Sequence, residues 1–304
     1  MSMKKSKLKQ FGGVGDTLFM GTIYFFLVLI LVIMLLPMMN IVSSSFSSPR
    51  AIVQGRVGIW PVEFTLLGFH AALSNQFIIS GFINSIIYTA LGTFMNLSLT
   101  LFAAYPLSRD TFVGKKLFIA FFTITMFISG GLVPSFLLMN SLNLLDTRAV
   151  MIVTAGVSVF HMIIARTFMR TAIPADIYGA AEIDGCSDAK IFFRIVLPLI
   201  KPLIAVMVLM FAVGHWNAFF GAMIYLRSDN LFPLQLVLRN ILILNQLDIT
   251  RIDVSRLADL WDRQFYAELI KYSSIIISTI PMLIMYPFIQ KHFIKGVMLG
   301  SLKE

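Results

Sequence analysis

Residues that could do chemistry are concentrated in one polar stretch, residues 173–198, which lies between two long apolar segments. Within it Glu182 and Asp184 are candidate acid–base groups. Their spacing places them on opposite faces of a short helix, without a histidine or metal-ligand partner. Cys186 is the single cysteine, which excludes an internal disulfide and offers no metal cluster. The sequence also lacks a Gly-x-x-x-x-Gly-Lys-Ser/Thr phosphate loop. We therefore expect no catalysis, metal site or ATP site in this chain.

The composition places the chain in a membrane. Hydrophobic residues make up 58% and charged residues 13%, and the mean hydropathy is +0.86. A helix of about 20 apolar residues crosses the hydrocarbon core, and backbone groups in lipid must be satisfied within the segment. No alternation typical of barrel strands is apparent. The sequence predicts an all-α polytopic membrane protein with six transmembrane helices, at 17–42, 82–106, 117–139, 149–165, 202–226 and 272–290.

Lysine and arginine predict the orientation of these helices. They are more frequent in the N-terminal tail, the second connection, the polar stretch 173–198 with its flanks, and the C-terminal tail than in the other connections. Positive residues favour the cytoplasmic side. Both termini and the polar stretch are therefore predicted to be cytoplasmic. The net charge of +9 follows mostly from this topology, so no nucleic-acid partner is expected.

The polar stretch is predicted to form a helical hairpin. Pro174 suits a first helical turn, and Gly185 can adopt the positive φ that ends a helix. Ser187 can cap the second helix. The small side chains of Ala180 and Ala181 would let the surface of another protein come close. A charged hairpin kept outside the bilayer indicates a docking site for a partner.

This hairpin resembles the coupling loop of ABC importer permeases, which reads Glu-Ala-Ala-x-x-x-Gly followed by Ile-x-Leu-Pro. The residues that match this EAA motif are Ala180, Ala181, Gly185, Ile195, Leu197 and Pro198, while Gly179 stands at the position of the family's glutamate. The resemblance covers nearly the whole chain. Residues 103–109 and 214–219 are similar to the carbohydrate branch of the family. Residues 129–134 and 43–49 are similar to its oligosaccharide and polysaccharide permeases, including alginate and aldouronate importers.

The resemblance implies a type I ABC importer transmembrane domain in the bacterial cytoplasmic (inner) membrane. Its expected partners are a homologous permease that completes the pathway, two ATPase subunits, an extracytoplasmic solute-binding protein, an oligosaccharide such as alginate or a related uronate, and membrane lipid. ATP and Mg would be bound by the ATPases, with no cofactor in this chain. The residues expected to couple to the ATPases are Gly179, Ala180, Ala181, Glu182, Asp184, Gly185, Ile195, Leu197 and Pro198. The tail residues Gly300, Ser301, Leu302 and Lys303 are similar to segments that insert between the two ATPases.

The predicted organisation has four parts. Residues 1–16 form a basic cytoplasmic tail, and residues 17–81 form the first helix and an external loop. Residues 82–290 form the core permease domain, which includes the hairpin 173–198 and an external loop, 227–271. Residues 291–304 form the C-terminal tail. Within the external loop, residues 234–245 predict an amphipathic helix, and the loop is the expected contact for the binding protein.

Two questions stay open at the level of sequence. Without a glutamate at Gly179, either Glu182 takes over part of the ATPase contact, or this subunit docks less strongly and relies on its partner permease. The alternative function is an ion-coupled secondary transporter or a channel subunit, although the six predicted spans contain no Asp or Glu. His215, Trp216 and Asn217 are candidate pathway residues, and Trp216 offers a sugar-stacking face. The competing interpretation is that these side chains only pack the helices.

Overall fold

The computed structural model describes residues 14–154, 156–247 and 267–287, and every long regular element in these ranges is an α-helix. The predicted all-α class is confirmed. The helices, in chain order, are α1 Val14–Ser45, α2 Pro49–Val53, α3 Leu67–Ser74, α4 Gln76–Ser108, α5 Lys115–Phe127, α6 Leu132–Ser141, α7 Arg148–Val153, α8 Val159–Ala172, α9 Ala175–Ile183, α10 Asp188–Leu199, α11 Lys201–Trp216, α12 Phe220–Tyr225, α13 Leu234–Leu247 and α14 Ala267–Pro287.

Three described helices, α1, α4 and α14, are long and apolar enough to cross a membrane, and up to five spans result if each bent helix pair counts as one. The predicted number of six therefore stays a prediction. A single straight helix over 117–139 is wrong, because α5 and α6 meet at an angle of 111°. Pro134 explains the break. It lacks the N–H that would bond to the Gly130 carbonyl, and its ring would clash with that carbonyl in a continuous helix.

The helices predicted over 149–165 and 202–226 are also interrupted. The helix α7 ends at Val153 and α8 begins at Val159. In the gap, the Gly156 carbonyl accepts a hydrogen bond from Asn96 Nδ2 at 2.7 Å, so a neighbouring helix satisfies the freed backbone. The helix α11 ends at Trp216, where the N–H of Asn217 bonds back to the Val213 carbonyl.

The described residues fall into two compact units. The first contains residues 14–71 and 267–276. Its helix α1 is apolar on all sides and exposed along most of its length. After it, buried serines fix the loop that follows: Ser47 Oγ donates to the Ser43 carbonyl at 2.7 Å and accepts from the Val62 N–H at 3.0 Å.

The second unit contains residues 72–154, 156–247 and 277–287, and it is built around α4. The helices α8, α11 and α13 pack directly against α4. The α4–α11 contact is close because it is made at Gly92: a Cβ atom there would lie 2.5 Å from His215 Cε1. Small residues at helix contacts allow such approach in membrane proteins. Three helices thus pack against α4, and two of them, α8 and α11, line the cavity described below together with α4.

Candidate functional site

The polar stretch forms the predicted hairpin. Pro174 is the residue that precedes α9, and the helix ends at Ile183 with Asp184 as its C-cap. Gly185 has φ +70, a conformation that residues with a Cβ rarely adopt, and its N–H bonds to the Glu182 carbonyl at 3.0 Å. Ser187 Oγ accepts from the Lys190 N–H at 3.4 Å and caps α10. The turn chemistry expected at Gly185 and Ser187 is therefore present.

The two sides of α9 differ in exposure. Ala181 is 5% exposed and lies in the same buried cluster as Met169 and Ile191. Gly179, Ala180, Asp184 and Gly185 are exposed to solvent, together with Ile183, whose 88% exposure is unusual for a large apolar residue. Because Ala181 is buried, it packs the hairpin against the rest of the chain. The surface that is free for a partner is formed by the exposed residues on either side of it in the sequence.

An ion pair ties the hairpin to the end of α4. Arg109, the C-cap of α4, donates from Nη2 to Glu182 Oε1, and its guanidinium carbon lies 4.0 Å from the centre of the Tyr178 ring. Arg109 is only 9% exposed, whereas the Glu182 side chain is 52% exposed. Tyr105 Oη adds a longer bond of 3.4 Å to the Asp188 carbonyl. Glu182 is thus engaged within the chain, on Arg109.

Sequence reasoning missed this ion pair. The partners are separated by 73 positions, and no local pattern in the sequence connects them. The sequence signal for this ion pair is an arginine at the predicted end of an apolar helix, together with acidic residues in the predicted hairpin. Tyr178 belongs to the same arrangement: burial raises the pKa of its hydroxyl, while the nearby Arg109 charge acts in the opposite direction.

The second half of the hairpin returns towards the helix bundle through an irregular turn. Residues 192–196 of α10 form a π-helical turn, in which the Leu197 N–H bonds to the Phe192 carbonyl. Pro198 follows and cannot donate an ordinary helical bond, which favours a widened turn just before it. Ile195 and Leu197 are half-buried against the central cluster, and Pro198 is exposed. Ile195 and Leu197 therefore anchor the hairpin.

A cavity of about 420 Å³ lies in the second unit, between α4, α8 and α11. Its polar lining comes from Tyr88, Asn96, Thr154, Ser158, His161 and His215. His215 Nε2 lies 2.7 Å from Asn96 Oδ1, and His161 Nδ1 lies 2.7 Å from Ser158 Oγ. His161 Nε2 is buried with no hydrogen-bond partner among the described residues. His161 and His215 thus line one cavity.

The three predicted pathway residues have different environments. His215 lines the cavity. Trp216 is 3% exposed, its Nε1–H donates to the Ser278 carbonyl at 3.0 Å, and its ring packs edge-on against Phe82 at 5.7 Å. This environment leaves no ring face for a sugar. Asn217 is exposed, and its amide donates to the Val213 carbonyl at 3.0 Å.

Some predicted features lie outside the described residues. These are the tail contact at Gly300, Ser301, Leu302 and Lys303, most of the basic tail 1–16, the part of the external loop at 248–266, and the last residues of the sixth predicted span. The amphipathic helix predicted at 234–245 is present as α13, Leu234–Leu247.

Helices apolar and long enough to cross a membrane, an exposed polar hairpin and a cavity with several polar groups between helices are typical of a membrane transport subunit. The sequence matches no protein-family model. It is 35% identical to the polygalacturonan/rhamnogalacturonan transport system permease protein YtcP of Bacillus subtilis, over 95% of this chain and 99% of that protein. It is 37% identical to protein LplC of the same organism, over 89% of this chain and 90% of LplC.

The chain is also similar to a solved structure. The chain aligns with a chain of a bacterial ABC transporter involved in the import of the acidic polysaccharide alginate, with a TM-score of 0.85 and 30% identity. The alignment covers 93% of this chain and 99% of that one. The protein therefore belongs to the permeases of ABC carbohydrate importers and is a transport subunit, not an enzyme.

Proposed function

We propose that this chain is the permease subunit of an ATP-driven importer for acidic oligosaccharides, of the alginate or related uronate type, in the bacterial cytoplasmic membrane. It pairs with a homologous permease to form one pathway. Two ATPase subunits supply ATP and Mg chemistry, and an extracytoplasmic binding protein delivers the sugar. Both termini and the hairpin face the cytoplasm in this proposal. The tail residues 300–303 reach the ATPases.

The observation that carries the coupling role is the asymmetry of the hairpin. Its inner side is fixed by buried Ala181 and by the Arg109–Glu182 pair, whereas Ile183 is 88% exposed beside Gly179 and Ala180. A rigid support beneath an exposed apolar and small-residue surface is suited to docking. Force from an ATPase would then move the hairpin and the end of α4 together, because the two are joined through Arg109.

Two features support an acidic substrate. The relative YtcP is named for polygalacturonan and rhamnogalacturonan, and the solved importer for alginate, which is described as acidic. In this chain, exposed Arg148 lies beside Tyr88, which lines the cavity, and beside Asn84, with 3.4 Å between Arg148 Nη2 and Asn84 Oδ1. A guanidinium next to the cavity is a suitable partner for a sugar carboxylate.

The assembly is tested by isolating the tagged chain from its native membranes in mild detergent and identifying what is retained by mass spectrometry. A second permease and an ATPase with a phosphate loop are the expected companions. Recovery of this chain alone, together with ion-driven flux in liposomes, would contradict the proposal and support a secondary transporter or channel.

The substrate class is tested by uptake of a labelled oligouronide and a neutral oligosaccharide of equal length. Arg148→Gln should raise the KM for the oligouronide up to about fivefold, as expected for one partly solvated ion pair, and leave neutral sugar unaffected. Arg227→Gln is the matched control: neither exposed arginine lines the cavity itself, but Arg148 lies beside the lining residue Tyr88, whereas Arg227 lies beside Asp146. Preference for the neutral sugar would refute the acidic class without affecting the assembly.

A further inference from the structure

A second cleft, distinct from the cavity, is strongly basic. It has a volume of about 690 Å³ and lies where α5 begins and α8 ends. Four cationic side chains line it, Lys115, Lys116, Arg166 and Arg170, against one carboxylate in its described lining, Asp110. Nothing in the transport proposal uses this cleft, because neither the sugar cavity nor the exposed side of the hairpin includes these residues.

The internal contacts leave the cleft with excess positive charge. Lys115 Nζ is 2.8 Å from Asp110 Oδ1, and Arg170 Nη2 is 3.5 Å from the same oxygen. The Lys115 hydrogen bond, followed by the Lys115 and Arg170 charges, lowers the pKa of Asp110, so this carboxyl is ionised at neutral pH. Arg166 Nε donates to the Leu107 carbonyl at 3.0 Å, which positions its guanidinium without neutralising it. One carboxylate therefore faces four cations.

The surroundings of the cleft are apolar and exposed. Leu117, which lines it, is 74% exposed, and Val113 on the preceding loop is 90% exposed. Phe118 and Phe121 continue the exposed apolar surface along α5, at 46% and 63%. A cationic cleft that opens onto an apolar helix surface matches a ligand with an anionic head and a hydrocarbon tail. A soluble phosphate would contact only the cationic cleft and not the apolar surface of α5.

We propose that the cleft between Lys115, Lys116, Arg166 and Arg170 binds the phosphate headgroup of an anionic membrane lipid, with its acyl chains against the exposed side of α5. Basic pockets between membrane helices bind acidic headgroups in this way. The cleft adjoins the Arg109 end of α4, so a bound lipid stabilises the region from which the hairpin projects.

The test titrates lipid into the full-length chain purified in detergent and counts bound molecules by native mass spectrometry. Phosphatidylglycerol and phosphatidylcholine with identical acyl chains are compared, with glycerol phosphate as a soluble competitor. Phosphatidylglycerol should bind in preference, and glycerol phosphate should compete poorly. Lys116→Gln with Arg170→Gln should weaken phosphatidylglycerol binding roughly 25-fold, at about fivefold per charge removed near the membrane surface.

The control variant carries Lys190→Gln and Arg194→Gln, which removes two exposed cations from the hairpin, outside the cleft. It should keep its affinity for phosphatidylglycerol. Unfolding temperatures of both variants are measured first; the substituted cleft residues, Lys116 and Arg170, are exposed, so folding should be retained. Equal binding of the two lipids, equal losses in the two variants, or displacement by glycerol phosphate would each overturn the proposal. Loss of ATPase retention with unchanged lipid binding would assign the cleft to a protein interface instead.

Discussion

Replacing Glu182 by glutamine should destabilise the hairpin measurably. The change leaves Arg109, which is 9% exposed, without its carboxylate, although the guanidinium keeps the Tyr178 ring at 4.0 Å. Fully exposed ion pairs contribute about 0–1 kcal/mol, whereas removing one partner of a fully buried pair costs about 3–5 kcal/mol. Since the Glu182 side chain is 52% exposed, solvent screens much of the interaction. We expect a cost of about 1–2 kcal/mol, between the exposed and the buried ranges.

The measurement is equilibrium unfolding of the purified chain in detergent, arranged as a double-mutant cycle with Glu182→Gln and Arg109→Met. The two substitutions should be non-additive by about 1 kcal/mol, because each removes the same interaction. Asp184→Asn is the matched control: it makes the same chemical change on the same hairpin, and no ion pair of Asp184 is found in the described part of the chain. Equal effects of Glu182→Gln and Asp184→Asn, with a coupling energy below about 0.3 kcal/mol, would refute the reasoning.

The same variants separate two roles for Glu182. If Glu182 replaces the family's motif glutamate in contacting an ATPase, Glu182→Gln should reduce ATPase retention while Arg109→Met does not. If Glu182 instead holds the hairpin against α4, both substitutions should reduce retention to the same extent. The Arg109 contact predicts the second outcome.

Three further predictions concern other contacts. Gly185→Ala should cost about 1–2 kcal/mol, since φ is +70, and should lower the unfolding temperature. Gly92→Ala should cost about 1–3 kcal/mol and reduce sugar uptake, because the added Cβ would lie 2.5 Å from the His215 ring. Asp146→Asn tests acid stability: hydrogen bonds from Ser228 lower the pKa of Asp146 in the folded chain, so its contribution is present above the unfolded pKa of about 3.9 and is lost as pH falls through the lower folded value. Unfolding measured from pH 7 to pH 2 should show a smaller acid-dependent loss of stability in Asp146→Asn than in the unsubstituted chain, because the contribution of Asp110 is present in both.

The hairpin could be predicted because its signals are local. The backbone at Gly185 has a positive φ, and Ser187 caps the helix that follows. Both effects involve residues that are only a few positions apart in the sequence. The same holds for α13, whose apolar and polar residues alternate with helical spacing. Such features depend on neighbours in the sequence, so a single sequence is sufficient to locate them.

The helix interruptions could not be predicted in this way. A broken span and a continuous one have the same apolar composition, and the gap after Val153 is stabilised by Asn96, which lies 60 positions away from Gly156. Trp216 illustrates the same limit. An aromatic residue in a span suits either sugar stacking or packing, and only its hydrogen bond to Ser278 and its contact with Phe82 distinguish the two.

Through these long-range contacts, α4 connects the hairpin to the cavity. At its end, Arg109 holds the hairpin through Glu182; in its middle, Asn96 contacts both His215 on α11 and the Gly156 carbonyl in the gap before α8. The helix is continuous over its 33 residues, with Pro106 as its internal proline, so a displacement at Arg109 is passed along one helix to Asn96. Force applied to the hairpin would therefore reach the cavity wall at the interruption between α7 and α8, which depends on an α4 side chain for its hydrogen bond. The interruption between α7 and α8 is the part of the cavity wall that we expect to change first during transport.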